Sequence, residues 1–272
     1  MAISEKVELL GKGVYNDIPD VLTVKSIPTA CELDYVSAED FNKTMIEKIL
    51  PKSVEETIDF YNLLEPDYYW LLRCLRIINY GPYFTTNVIY CDNCGRQYGE
   101  FKCNLNAVDC VPFPEGFKNS ITIPRNEFID FNGDVTFQVL TVKDMMRCES
   151  DESFKDHVTG RINRDLARLC YSIRTMGTDH ALNPVEVRLK IEKEITAADY
   201  VILKDLSDKL RDYGLRAGGK TTCPKCGSTN ATFLAMIDDR YFRPTLVDLR
   251  SWKADKNRKR VEESTRSKTK NV

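Results

Sequence analysis

Two short cysteine motifs are the part of this sequence with the clearest chemical capacity. Cys91-Asp-Asn-Cys94-Gly and Cys223-Pro-Lys-Cys226-Gly each hold two thiols three positions apart, followed by glycine. Two intervening residues let a tight turn direct both sulfurs at one ion, and glycine accepts the positive φ that such a turn requires. Two of these knuckles supply the four sulfurs of a closed, tetrahedral zinc site. The motifs therefore predict one structural zinc ion bound by Cys91, Cys94, Cys223 and Cys226.

The separation of the two motifs along the chain has a structural consequence. The pairs of a zinc ribbon are usually about 15–20 residues apart, whereas Cys94 and Cys223 are 129 positions apart. If both pairs bind one ion, residues 95–222 form an insertion whose ends meet at the metal. The entropic cost of closing such a long loop is modest, because it rises by only about 0.6 kcal/mol for each doubling of loop length.

Two other interpretations of the cysteines stay open at the level of sequence. A single Cys-x-x-Cys can be a redox dithiol, although neither pair opens an obvious helix after a strand. The thiols can also be ordinary buried groups, because free cysteine behaves as a small hydrophobic residue. That description suits four cysteines with apolar neighbours, which are Cys31, Cys74, Cys148 and Cys170. Cys103 and Cys110 lie close to the first knuckle and are possible additional ligands.

Length and composition indicate a soluble globular protein. The chain has 272 residues, of which 42% are hydrophobic and 29% charged. No apolar run approaches the ~20 residues of a membrane span, and the first residues lack the pattern of a signal peptide. We therefore expect the ten cysteines to be reduced thiols in a cytoplasmic setting.

The charge is unevenly distributed along the chain. The net charge is −2, but residues 251–272 hold eight basic and three acidic side chains, so this tail is +5 and the rest is −7. A protein that binds phosphate backbones usually has a basic body. The acidic body therefore argues against nucleic acid as the main partner.

Periodicity and capping signals predict helices before the first knuckle. A helix is expected from about Ser37 to Pro51, a second from the capping box at Ser53 to Leu64, and a third over 68–78. The third is apolar on nearly every side, which predicts that it is buried or covered by partners. Its two arginines, Arg73 and Arg76, should then have carboxylate partners or reach solvent.

The region after the first knuckle shows both strand and helix signals. Strands are expected over 83–90 and 100–105 around the knuckle, and over 120–124 and 134–141 around Asn132-Gly133, a hairpin turn signal. Helices are expected over 162–173, 184–194 and 196–210. A strand over 231–237 should return from the second knuckle.

These signals predict an α+β fold, with a helical N-terminal part, β-hairpins and a split zinc ribbon that clamps a long α+β insertion. The predicted parts are an extended arm over 1–30, a helical segment over 31–82, a ribbon core over 83–250 that contains the insertion at about 95–222, and a basic tail over 251–272.

The sequence contains no recognisable catalytic arrangement. Its two histidines, His157 and His180, have no nucleophile pattern nearby, and Gly11-Lys-Gly13 lacks the third glycine and the helix of a phosphate loop. The nucleophile elbow and the zinc-protease motif are missing as well. We therefore predict that the protein is not an enzyme.

One long segment resembles a known family. It begins at Leu9-Leu-Gly-Lys-Gly-Val-Tyr15 and continues through Asp67-Tyr-Tyr-Trp-Leu-Leu-Arg-Cys-Leu-Arg-Ile-Ile-Asn-Tyr-Gly81 to the first knuckle. This order resembles the baseplate-hub proteins of T-even-like contractile-tailed phages, in which a similar helix ends in Arg-x-x-x-x-Gly before a cysteine knuckle and a β segment. The resemblance covers roughly residues 9–145 and, more weakly, the second knuckle. Arg76, Gly81, Cys91 and Cys94 carry over individually, although family members differ in whether the cysteines are present.

The resemblance implies a non-enzymatic structural or assembly protein of the tail baseplate. Its expected partners are other hub proteins or tape-measure proteins in a multi-subunit assembly, and its expected location is the virion tail, assembled in the host cytoplasm. The alternative is a zinc-ribbon factor that binds nucleic acid or acts in transcription through the basic tail.

The basic tail is expected to become ordered only on a partner. Because it contains few apolar residues, it cannot offset its ordering entropy alone. We expect a helix over 255–264 on an acidic groove of a neighbouring chain, with residues 241–244 and Trp252 as apolar anchors. A disordered, solubilising tail is the alternative.

Overall fold

The structure is a computed structural model. It describes residues 4–31, 39–86, 89–98, 101–179, 182–216, 218–229, 231–234, 237, 239–242, 245–255 and 258. These residues form helices and small antiparallel sheets, which confirms the predicted α+β class. Across the described ranges, no helix is both long and apolar enough to cross a membrane.

The N-terminal region, predicted as an extended arm or edge strand, is a two-stranded hairpin. Strand β1 (Ser4–Glu8) pairs antiparallel with β2 (Val21–Lys25). Leu22 and Val24 lie on the same face of β2 and are both fully buried in the core, which packs the hairpin against the rest of the protein.

One continuous helical segment, α1, covers 41–53 as an α-helical turn, a π-helical turn at Met45–Ile49 and a last α-helical turn. The second helix predicted from Ser53 is wrong. Val54 is extended and forms a β-bridge with Val24, and the Glu56 carboxylate accepts a hydrogen bond from the N–H of Thr23. Pairing with β2 thus overrides the local capping signal.

Helix α2 (Glu65–Tyr80) is the central element, and it confirms the third predicted helix. Leu71, Leu72 and Leu75 are fully buried in it. The helix ends at Gly81, which has a φ of 79° and donates its N–H to the carbonyl of Ile77.

The chain then forms the ribbon region. Strand β3 (Tyr83–Thr86) pairs with β6 (Phe101–Asn104), and β4 (Ile89–Cys91) pairs with β5 (Gln97–Tyr98), so the hairpin predicted around the first knuckle is confirmed. Much later in the chain, β12 (Gly218–Thr221) pairs with β13 (Ala231–Leu234). Strand β13 also pairs with β4, which gives one four-stranded sheet in the order β12-β13-β4-β5.

Between the two knuckles, the described residues form a separate three-stranded sheet and four α-helices. Strand β9 (Val135–Phe137) lies between β8 (Ile121–Ile123) and β10 (Ile173–Met176). The helices are α3 (Val142–Ser150), α4 (Arg164–Ser172), α5 (Pro184–Glu194) and α6 (Ala197–Leu210). Helices α5 and α6 agree with the sequence prediction, whereas α3 was not predicted.

Buried side chains divide into two hydrophobic clusters. The first, here called the body cluster, includes Leu22, Leu71 and Cys91 and continues to Phe242. The second, the insertion cluster, extends from Leu64 and Phe113 to Leu210. The two ends of the segment that holds most of the insertion cluster lie side by side at a neck, where β7 (Cys110–Val111) pairs with β11 (Gly214–Leu215).

A last helix, α7, covers 246–255 and crosses the boundary predicted at residue 251. Thr245 caps it, because its hydroxyl accepts the N–H of Asp248 while the Asp248 carboxylate accepts the N–H of Thr245. The side chain of Asp248 also accepts a hydrogen bond from the Thr85 hydroxyl, which fastens α7 to β3. Residues 256, 257 and 259–272, which hold most of the predicted tail and of its helix, lie outside the described residues.

Candidate metal centre

Two knuckles of the same geometry meet at the edge of the four-stranded sheet. The N–H of Gly95 bonds to the carbonyl of Cys91 at 2.8 Å, and the N–H of Gly227 bonds to the carbonyl of Cys223 at 3.0 Å. Both glycines have positive φ, 65° and 70°, as the sequence predicted. Because Ala231 in β13 pairs with Cys91 in β4, the sheet register places one knuckle directly beside the other.

The four predicted cysteines come together. The sulfurs of Cys91 and Cys226 are 3.7 Å apart, those of Cys94 and Cys223 are 3.9 Å apart, and all four lie within 4.8 Å of one another. A tetrahedron with metal–sulfur bonds of ~2.3 Å has sulfur–sulfur edges of about 3.8 Å. The cluster therefore has the size and the donor set that a tetrahedral metal ion requires. The two ends of residues 95–222 accordingly meet at this cluster.

Access to the four sulfurs is unequal. Cys91 and Cys223 are buried, Cys94 is half-buried and Cys226 is exposed. The Cys226 sulfur accepts a hydrogen bond from the side-chain amide of Asn93 in the other knuckle. Such an outer contact fixes the orientation of a ligand.

The pKa values of two of these thiols are shifted in opposite directions. The backbone N–H of Cys94 lowers the pKa of Cys91, but burial and the neighbouring thiols outweigh it and raise this pKa to about 11. A backbone hydrogen bond from Ser228 lowers the pKa of Cys226. Like charges this close disfavour joint ionisation unless a cation neutralises them. A metal ion would supply that charge and bind all four groups as thiolates.

The other cysteines take no part in this cluster. Cys103 donates its thiol proton to the carbonyl of Phe84, and burial raises its pKa to about 12. Burial likewise raises the pKa of Cys148 and of Cys170 to about 12. Within the described residues, Cys103 and Cys110 are not near enough to act as ligands.

Arg76 has a different environment from the one predicted. It is fully buried, and its guanidinium donates hydrogen bonds to three backbone carbonyls, those of Tyr241 at 2.7 Å, Gly81 at 2.8 Å and Tyr83 at 2.8 Å. Burial lowers its pKa. Carbonyl oxygens thus replace the predicted carboxylate partner, and sequence gives no signal for them because they belong to backbone brought together by folding.

Gly81 and the end of α2 receive the C-terminal helix. A Cβ atom on Gly81 would lie 2.3 Å from the indole of Trp252, so only glycine leaves room for this contact. Tyr241 and Phe242 are buried in the body cluster. Tyr241 and Phe242 are therefore not accessible as anchors for a partner, whereas Trp252 is half-buried against Gly81.

The glycine-rich stretch near the N-terminus is used for internal contacts. The N–H groups of Leu10 and Gly11 and the hydroxyl of Tyr15 all bond to the carboxylate of Asp67 in α2. An internal carboxylate thus occupies the amides that a phosphate loop would present. His157 is exposed, and His180 lies outside the described residues.

Comparison of the chain with protein-family models, curated proteins and solved structures gives no match.

Proposed function

We propose that this chain is a non-enzymatic structural or assembly protein of a tailed-phage baseplate hub, and that its four cysteines bind one structural zinc ion. The observation that carries the proposal concerns the residues on which the family resemblance rests. Arg76 and Gly81 build the end of α2, and Cys91 and Cys94 form half of the cysteine cluster. All four have architectural roles in this chain, which is what a shared structural unit requires.

Four thiolates in a tetrahedral arrangement are typical of zinc or iron–sulfur sites. The two Cys-x-x-Cys knuckles favour zinc, because such pairs are typical of structural zinc sites. A site with four protein ligands has no open position for substrate, so it stabilises the fold and supplies no chemistry. The position of the cluster, between two hairpins from distant parts of the chain, supports the same role.

The zinc proposal is tested by native mass spectrometry of protein purified without chelators. We expect one zinc per chain, lost on Cys94→Ser and retained on Cys110→Ser, a matched change of a half-buried thiol outside the cluster. Because binding and folding are linked at structural zinc sites, Cys94→Ser should also lower the thermal midpoint. A metal-free native protein, or a Cys94→Ser protein with full zinc and unchanged stability, would show that the proposal is wrong.

The hub proposal is tested by mass-spectrometric analysis of purified tails and of tail-assembly intermediates. The chain should be found in at least one of these. Its absence from both would contradict a hub function, whatever the outcome for zinc.

The partner contact is proposed to lie in the basic tail. A chain that ends at Arg258 keeps α7 and its contact with Gly81, and removes residues 259–272. We expect this chain to fold and retain zinc but to fail to join the assembly. Full incorporation of the shortened chain would show that the tail is dispensable.

Binding of nucleic acid through the basic tail is the second candidate. The observation in its favour is the net charge of +5 over 251–272. Tight DNA binding that falls steeply with salt would support this candidate over the hub.

A further inference from the structure

A cavity of about 640 Å³ lies where the body and insertion clusters meet. Helix α2 contributes Pro66, Tyr69 and Arg73 to one side, and α4 contributes Arg168 to the other. The volume is within the range of ~300–1,000 Å³ that is usual for small-molecule sites. The cavity shares no cysteine with the metal centre.

Arg168 lines the cavity and has one hydrogen-bond donor without a partner. One terminal nitrogen of its guanidinium forms an ion pair with Glu65, at the first residue of α2. Its Nε atom is buried and has no hydrogen-bond partner. Burial lowers the pKa of Arg168, but the charge of Glu65 outweighs it and raises this pKa, so the group stays cationic. Buried donors are nearly always paired, which makes this N–H a position for an acceptor from a ligand.

Arg73 adds a positive charge that no carboxylate offsets among the described residues. Its guanidinium donates to the carbonyl of Leu105 and to the side-chain oxygen of Asn106, and it lies over the ring of Trp70 at 4.7 Å. The remaining charged residues of the lining are paired with each other, as Arg211 with Asp208 and Arg216 with Asp212. The lining therefore has one more cation than anions.

The rest of the lining is suited to an apolar group. Tyr69, Tyr213 and Tyr241 contribute aromatic rings, and Val139 and Leu140 contribute aliphatic groups. Flat aromatic groups pack well between such side chains.

We propose that this cavity binds a small organic acid, with its carboxylate held by Arg168 and Arg73 and an aromatic or aliphatic body between the tyrosines. A planar carboxylate matches the fork of donors on a guanidinium, and it is the charged group that a small acid with an apolar body carries. Because Arg73 belongs to α2 and Arg168 to α4, a bound acid would also link the two clusters.

The test is calorimetric titration of the full chain with 1-naphthylacetate, and with 1-naphthylacetamide as the neutral probe of the same shape. We expect saturable binding of one acid per chain, with at least tenfold weaker binding of the amide. Arg168→Lys keeps the charge but removes the Nε–H, and Arg73→Gln removes the unpaired cation. Each should weaken binding of the acid at least tenfold.

Two further variants separate binding from general damage to the fold. Ser207→Leu fills part of the cavity without changing charge and should abolish binding of both probes. Arg147→Gln removes an exposed arginine on α3 and should leave both affinities unchanged. Circular dichroism establishes that each variant is folded. No saturable binding of the acid to the folded wild type, equal affinity for acid and amide, or unchanged affinity in both arginine variants would each overturn the proposal.

Discussion

Replacing Arg76 with methionine tests whether the buried guanidinium holds three parts of the chain together. Its three carbonyl partners lie at the end of α2, in β3 and in the segment before α7. Methionine fills a similar volume and keeps the helix, so the change removes the donors and leaves most of the packing.

The expected loss follows from the three carbonyls that would be left unpaired. An unsatisfied buried acceptor costs about 1–3 kcal/mol, which sets an upper range of about 3–9 kcal/mol for three. Removing a buried charge returns part of this, because the guanidinium is no longer desolvated. We therefore expect a net loss of about 3–5 kcal/mol, a large share of the about 5–15 kcal/mol that stabilises an ordinary domain.

Urea unfolding followed by circular dichroism measures this loss, with Arg73→Met as the matched control on the same helix. Arg73 is half-buried, and its hydrogen bonds, both at 3.2 Å, are to neutral acceptors near the surface. Its replacement should cost only about 1 kcal/mol. Arg76→Lys keeps the charge but not the planar fork, so it should fall between the two.

Equal losses for Arg76→Met and Arg73→Met would refute the reasoning. So would a loss below about 1 kcal/mol for Arg76→Met, because the three carbonyls would then be satisfied without the guanidinium.

Three further predictions concern the end of α2, a buried carboxylate and the metal. Gly81→Ala should cost about 1–3 kcal/mol for its backbone conformation, and more for the collision with Trp252. The loss should be seen in the unfolding free energy and in a change of tryptophan fluorescence. Gly13→Ala, at a position with positive φ but open space, should cost less. Burial raises the pKa of Asp199, but hydrogen bonds from the N–H groups of residues 129–131 outweigh it and hold this pKa below the ordinary 3.8. The stabilisation from Asp199 should therefore be present above that pH and be lost as pH falls through the lower, folded value. Asp199→Asn should remove this acid-dependent part of the unfolding free energy, and an unchanged pH profile would contradict it. Chelation of the metal should speed amide hydrogen exchange in β4 and β12 before it does so in α4 and α6, and equal acceleration throughout would contradict a local role for the cluster.

Local signals in the sequence were sufficient wherever the structure depends on neighbouring residues. The knuckles are an example, because the turn, the glycine and both sulfurs lie within five positions. Helix α5 is another, since Asn183 accepts the N–H of Glu186 and Glu186 returns a bond to Asn183. Helix α3 has the same kind of local signal in Thr141 and Asp144, which form a capping box.

Most contacts between distant parts of the chain could not be predicted from local sequence signals. The capping box at Ser53 was overridden because Val54 pairs with a strand about thirty positions earlier. Trp252 could not be assigned to Gly81, because an aromatic residue in a charged segment resembles an exposed anchor. The paired cysteines were the exception, because two matching motifs with one shared chemical requirement predict a contact at any separation.

The cysteine cluster is one of several connections that hold the insertion in place, and they differ in what they depend on. At the neck, Gly214 pairs with Val111, and the N–H of Arg216 bonds to the carbonyl of Asp109. A second connection is the bridge between Leu64 and Thr141. Neither connection needs a metal. Along the sequence, the residues of both connections are nearer to those of the insertion cluster than the knuckles are. Since Cys91 and Cys223 belong to the body cluster, loss of a bound metal would first loosen the contact between the two knuckles. The insertion would remain tied at its neck, so a bound metal would stabilise the ribbon directly and the insertion only through it.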